Sequence, residues 1–190
     1  MSANHTSAMA KVLFLYKFIK TPKSIGSVTP SSRFLTGKMI QAVPWHDVNS
    51  VAELGTGTGV ITGAIKDAAR PDTKVLLFER DSYLRAQIRA QYPGYDTYPD
   101  AKHLHRVVQK QGIGQLDCII SGLPFANFPQ LIRDELMSQI VKSLKPGGHF
   151  IAFQYSLQMK KQLSELFHVE SIRFVMLNVP PAFVYVCRKK

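Results

Sequence analysis

The sequence predicts an α/β fold: an open, mostly parallel sheet of seven strands, helices on both faces, a last strand running antiparallel, and a helical extension at the N-terminus. Three observations carry this. Short β-branched runs alternate with helical periodicities from Ser50 onward, which implies parallel strands joined by crossover helices. A glycine-rich turn, Gly55-Thr56-Gly57-Thr58-Gly59, joins the first strand to the first crossover helix. The last two strands are separated only by Asn178-Val179-Pro180-Pro181-Ala182, too short a link for a crossover, so they pair antiparallel.

Residues 1–46 form the extension. Ala8–Lys20 reads as a helix ending before Thr21-Pro22. Val12, Leu15 and Ile19 share one face, Phe14 and Phe18 a second beside Lys11, and Lys17 and Lys20 a third. One apolar face docks on the domain in this reading, while Phe14 and Phe18 meet lipid and the lysines lie at head-group level. Thr29-Pro30 reads as a second helix start, with Thr29 as cap and Pro30 at the first position; that alone accounts for these residues, and the functional reading is that Ser31 or Ser32 also reaches a cofactor carboxylate.

Residues 47–190 form the main domain. Strands are expected at Ser50–Leu54, Lys74–Glu79, near Tyr95–Tyr98, Leu116–Ser121, Gly148–Tyr155, Val169–Leu177 and Phe183–Cys187. Helices are expected at Gly59–Arg70, Asp81–Gln91 with an Asp cap, Phe128–Leu144 and Leu157–Phe167. Lys145-Pro146-Gly147-Gly148 reads as a helix stop followed by a turn.

Composition narrows the class. Of 190 residues, 45% are apolar and 19% charged, enough for a large core and too few charges for a disordered chain. Cys118 and Cys187 exclude a disulfide framework and a four-cysteine metal site; in apolar strands they read as buried reduced thiols, consistent with the cytoplasm. His103 and His105 lack a third ligand at a matching spacing, so no metal is expected. No apolar run reaches the ~18–20 residues that span a bilayer. The formal charge is +11, which points to an acidic partner, nucleic acid or an anionic membrane. Its distribution is uneven: residues 1–46 carry six Lys or Arg and no acid, whereas residues 47–155 are nearly neutral.

The chemistry concentrates at strand ends. Glu53 stands two residues before Gly55, where a carboxylate repels a pyrophosphate but suits an ammonium group, as in the amino-acid end of S-adenosylmethionine. Gly55, Thr56, Gly57 and Gly59 allow a tight turn and close approach of a ligand. Glu79, followed by Arg80, closes the second strand and can accept from ribose hydroxyls. Asp100-Ala101 follows the third strand, where an Asp can accept from the adenine amine. The fourth strand ends in Ser121-Gly122-Leu123-Pro124-Phe125, a loop expected to face the transferred methyl group. Enzymes that methylate exocyclic base nitrogens usually carry Asn or Asp where Gly122 stands, so the amine acceptor of such enzymes is missing; the carbonyls of Gly122 and Leu123 remain to hold an amine, and Phe125 to stack on substrate. Tyr155 and Tyr16 are candidates to orient the amine or accept its proton, and Arg33 to hold a lipid phosphate.

These stretches together with Ile25–Arg33, Phe153-Gln154-Tyr155-Ser156 and Asn178–Val186 give a chain that resembles the bacterial phospholipid N-methyltransferases, themselves similar to rRNA adenine dimethylases. The resemblance implies a Rossmann-like class I methyltransferase fold. It implies S-adenosylmethionine as cofactor, held by Glu53, Gly55, Gly57 and Glu79, and methylation of phosphatidylethanolamine and its methylated derivatives. It also implies an N-terminal helix on anionic lipid, hence a cytoplasmic enzyme peripherally bound to the inner face of the membrane. An rRNA or tRNA adenine N6-methyltransferase is the main alternative; a small-molecule amine methyltransferase or a non-catalytic cofactor-binding module are others.

Overall fold

A computed structural model describes residues 31–190; Lys11, Phe14, Tyr16, Lys17, Phe18 and Lys20 lie outside the described residues. The elements run α1 (Arg33–Ile40), β1 (Ser50–Leu54), α2 (Val60–Ala68), β2 (Lys74–Phe78), α3 (Ser82–Gln91), β3 (Asp96–Tyr98), α4 (Leu104–Lys110), β4 (Leu116–Ser121), α5 (Gln130–Ser143), β5 (Leu144–Gln154), α6 (Lys160–Leu166), β6 (Phe167–Val175) and β7 (Ala182–Lys189). The strands form one sheet in the order β3-β2-β1-β4-β5-β7-β6. β1 to β5 are mutually parallel, and β7 is antiparallel to both neighbours.

Strand alternation sorts the core into two layers. Ala52, Leu76, Ile119 and Phe150 point to one face, under Leu104, Val108, Leu136, Ile140 and Leu163 of α4, α5 and α6. Their neighbours Val51, Val75, Ile120 and Ile151 point to the other, under Leu35, Met39, Ile61, Ile65 and Ile88 of α1, α2 and α3. Leu35 and Met39 are fully buried, so α1 packs into the core of the main domain. Among them no helix is long and apolar enough to cross a membrane.

Three local expectations are corrected. The cap of α1 is Ser32, whose Oγ accepts from Leu35 N at 3.2 Å, rather than Thr29. The Ser32 N–H donates to Asn178 Oδ1 at 2.9 Å, so a tertiary contact fixes the extended residue that precedes the helix. Lys145–Gly148 is not a turn before β5 but an irregularity within it. Leu144 already pairs with Leu116, the next partners are His149 and Cys118, and the four residues between bulge out with Gly147 at φ +74°. Helix α4 has no counterpart among the predicted elements: only Leu104 and Val108 of its seven residues are buried, too few to display a period.

Candidate active site

Parallel strands bring their carboxyl ends to one edge of the sheet, where open α/β sheets bind ligands. Gly55, Glu79, Asp100 and Gly122 follow β1, β2, β3 and β4 at that edge. Gly122 N donates to Leu54 O at 2.9 Å and Gly55 N to Phe78 O at 2.8 Å, which ties the neighbouring loops to one another.

The glycine turn needs its glycines. Gly55 and Gly59 lie at φ +78° and +87°, and a Cβ on either would fall within 3 Å of Leu123 Cδ2 or Ile88 Cδ1. Gly57, at φ +54°, has no atom of the described residues beyond its chain neighbours within 4 Å of where a Cβ would stand, so that side leaves room for a ligand.

Glu53 is fully buried. Thr62 Oγ1 donates to its Oε2 at 2.6 Å, while Oε1 has no partner among the described residues. Burial pushes the carboxyl up to about 8; the Thr62 hydrogen bond opposes this and the charge of Glu79 adds to it. A buried acid with an orphaned oxygen lacks a donor, and an ammonium group is the donor that both satisfies the oxygen and restores the carboxylate. Thr56 Oγ1, also buried, is likewise unpartnered. Glu79 is already engaged: Oε2 accepts from Gly57 N at 2.8 Å and Oε1 from Asp81 N at 2.9 Å, clamping the glycine turn to the end of β2. Each oxygen keeps one further acceptor site. Asp100 Oδ1 accepts from Lys102 N at 2.9 Å and caps the short turn that begins at Ala101; Arg80 is exposed.

The loop after β4 differs from expectation in two ways. Phe125 is 1% exposed, packed edge-on against Phe128 and Phe150, so it is a core residue and not a stacking platform. Leu123 O accepts from both Phe125 N and Gln154 Nε2 at 2.9 Å, which fills its two acceptor sites and leaves it none for an amine. The Gly122 carbonyl has no donor among the described residues. A Cβ at Gly122 would stand 3.0 Å from Gly55 O, so this position is tight against the glycine turn. Ser121 is buried and its Oγ accepts from Leu123 N at 3.2 Å; Pro124 O accepts from Asn127 N.

Tyr155 follows β5, its ring edge-on to Phe153. Burial pushes its hydroxyl up to about 12, so it stays neutral and cannot serve as a base near pH 7. Arg33 is exposed, its guanidinium 5.0 Å over the Phe34 ring.

Gln154 is a functional candidate that the sequence reading did not single out. It is 3% exposed, donates to Leu123 O, and accepts from Ala126 N at 3.2 Å, bracing the loop after β4 from the end of β5. A polar residue closing an apolar strand was the available signal. Thr62, the partner of Glu53, is a polar residue on the buried face of α2.

Comparison with known proteins agrees with this geometry. Residues 24–174 match the methyltransferase small domain family. The chain is 33% identical over 185 residues to an ornithine lipid N-methyltransferase of Singulisphaera acidiphila, covering 93% of this chain and 94% of the relative. Among solved structures, TrmN of Thermus thermophilus superposes with a TM-score of 0.65 at 18% identity, covering 93% of this chain, which spans only 53% of that protein. The N-methyltransferase NodS of Bradyrhizobium japonicum, solved with S-adenosyl-L-homocysteine, superposes with a TM-score of 0.64 at 12% identity over 83% of this chain and 88% of NodS. A buried strand-end acid with an unpartnered oxygen, beside a glycine turn on a sheet of this order, agrees with what the family match and the near full-length relative show: the chain belongs to the methyltransferase small domain family and is an S-adenosylmethionine-dependent methyltransferase of the Rossmann-like class I fold.

Proposed function

We propose that the enzyme N-methylates the amine head group of a membrane lipid at the membrane surface, phosphatidylethanolamine and its methylated derivatives being the substrates expected from sequence. The observation that carries this reading is the nearly full-length similarity to a protein named as an ornithine lipid N-methyltransferase. Both lipids present an amine beside a large apolar body. The tight position of Gly122 supports the same reading, because the side-chain acceptor used on nucleic-acid bases has no room there without a shift of the glycine turn.

In this reading Glu53 and the turn Gly55–Gly59 hold the amino-acid end of the cofactor, with Ser31 and Ser32 at its carboxylate. Ser32 Oγ accepts from Leu35 N, and its own O–H has no acceptor among the described residues. Glu79 takes the ribose through its remaining acceptor sites, and Asp100 and Ala101 flank the adenine, with Arg80 and Ser121 at the rim. The bound cofactor supplies an electrophilic methyl group. The chain's part is alignment and exclusion of water: the Gly122 carbonyl accepts from the amine, the neutral Tyr155 hydroxyl orients it, and Arg33 holds the lipid phosphate. The ammonium loses its proton to water before transfer, since neither Leu123 O nor Tyr155 takes it.

The test is transfer of labelled methyl groups with phosphatidylethanolamine, ornithine lipid and total RNA in one reaction. Label in either lipid supports the reading, and the lipid labelled fixes the head group. Label in RNA alone refutes it.

A further inference from the structure

Five large apolar side chains stand exposed at one corner of the active-site edge. Phe174, Met176, Leu177 and Val179, at the end of β6 and on the β6–β7 connection, are 55%, 70%, 62% and 74% exposed, and Phe34, in the first turn of α1, is 44% exposed. The register places them: Gln154 pairs with Phe183 and Val175 with Ala182, so this connection lies at the same sheet edge as Gln154, which braces the loop after β4.

The loop is built to hold this shape. Asn178 is 3% exposed; its Oδ1 accepts from Ser32 N and its Nδ2 donates to Pro180 O at 2.7 Å. The one polar residue is therefore turned in and the apolar residues on either side of it are turned out, the reverse of ordinary burial. The same bond pins the start of α1, and with it Phe34, to the loop. Phe174 rests on Phe183, ring centroids 5.1 Å apart.

The two segments that form this corner carry charge of one sign. Residues 31–46 and 171–183 contain no Asp or Glu, and they contribute Arg33, Lys38 and Arg173. An apolar tip beside cations, with no acid, matches the boundary between anionic head groups and acyl chains. We propose that the β6–β7 loop, together with Phe34, inserts into an anionic bilayer and sets the active-site edge against the membrane, as a contact separate from the first 30 residues. The proposal rests on the lipid-substrate reading above.

The chain has one tryptophan, Trp45, so Leu177→Trp in a Trp45→Phe background reports on the loop alone. Binding of S-adenosylhomocysteine by this variant establishes that it is folded. The probe is a vesicle of phosphatidylglycerol and phosphatidylethanolamine carrying brominated acyl chains. Emission from position 177 is expected to move to the blue and to be quenched by the brominated chains. Met176→Asp with Leu177→Asp is expected to weaken vesicle partitioning at least about tenfold while S-adenosylhomocysteine still binds. Vesicle binding without quenching at position 177 would overturn the proposal. So would emission that is blue before vesicles are added and unchanged by them, which would mean that residues 1–30 or a second copy of the chain cover the loop. Quenching without methyl transfer to any lipid would leave the docking in place and remove the substrate reading; methyl transfer to vesicle lipid with an unquenched probe would do the reverse.

Discussion

Two buried carboxylates occupy adjacent central strands at opposite edges of the sheet, and their surroundings are reversed. Asp117, at the start of β4, is fully provided for. Its Oδ2 accepts from Asn49 N, Ser50 N and Ser50 Oγ at 2.8–3.1 Å, and its Oδ1 pairs with Lys145 on the β5 bulge. Burial raises its pKa, but Lys145 and these donors outweigh burial and hold it below the ordinary value. Glu53, at the end of β1, has among the described residues one donor and an orphaned oxygen, and its carboxyl is pushed up to about 8. Asp117 is an acid completed by its own chain, which is what stability requires. Glu53 is incomplete, which is what a ligand site requires.

That contrast predicts opposite effects from removing each acid. Glu53→Gln has the largest effect on function: affinity for S-adenosylhomocysteine falls at least about 100-fold by calorimetry, because the charge-assisted bond to the ammonium is lost. The same change makes the ligand-free protein more stable at alkaline pH. Between the ordinary 4.5 and the folded value of about 8, native Glu53 holds a proton that the unfolded chain has lost, so its contribution to stability declines as pH rises through that window. Melting of the wild type and the variant at pH 5 and pH 8 checks this: the advantage of the variant grows with pH.

Asp117→Ala does the reverse. It strands Asn49 N, Ser50 N and Ser50 Oγ and costs about 3 kcal/mol in urea unfolding, with cofactor affinity unchanged. Its folded pKa lies below 3.8, so the contribution is complete above the ordinary carboxylate range and is lost as pH falls through the lowered folded value. The destabilisation caused by the substitution therefore shrinks in acid.

Gln154→Ala tests whether bracing of the β4 loop belongs with function or with stability. We expect kcat to fall about tenfold through loss of alignment while cofactor affinity holds; an equal loss in both would place Gln154 with the structural residues. Tyr155→Phe should have the smallest effect, under about threefold in kcat, because in the proposed mechanism a hydroxyl that stays neutral only orients the amine and removes no proton. A larger fall, with a shifted pH profile, would restore Tyr155 as a base.

Sequence made the two edges legible to different depths. β1 and β4 begin and end where their β-branched runs do, and the glycine spacing marked the tight turn after β1, because these are local patterns. The partners that give each acid its character are remote in the chain. Asp117 meets Ser50 across 67 residues and Ser32 meets Asn178 across 146, and neither contact has a local signature. Phe125 shows the converse error. Its place in Gly122-Leu123-Pro124-Phe125 suggested an exposed ring, but whether a ring at a strand end faces ligand or core depends on Phe128 and Phe150, which only the tertiary packing brings there.

The claim that Glu53 is an acid reserved for the ammonium of the cofactor is tested most directly by proton linkage. S-adenosylhomocysteine is titrated calorimetrically near pH 6.5 in buffers of different ionisation enthalpy. At that pH Glu53 holds its proton in the free protein, and pairing with the ligand ammonium forces it off. Release of close to one proton per ligand, vanishing in Glu53→Gln and at pH 9, is the predicted result. Binding of equal strength with no proton released at pH 6.5 would contradict the assignment.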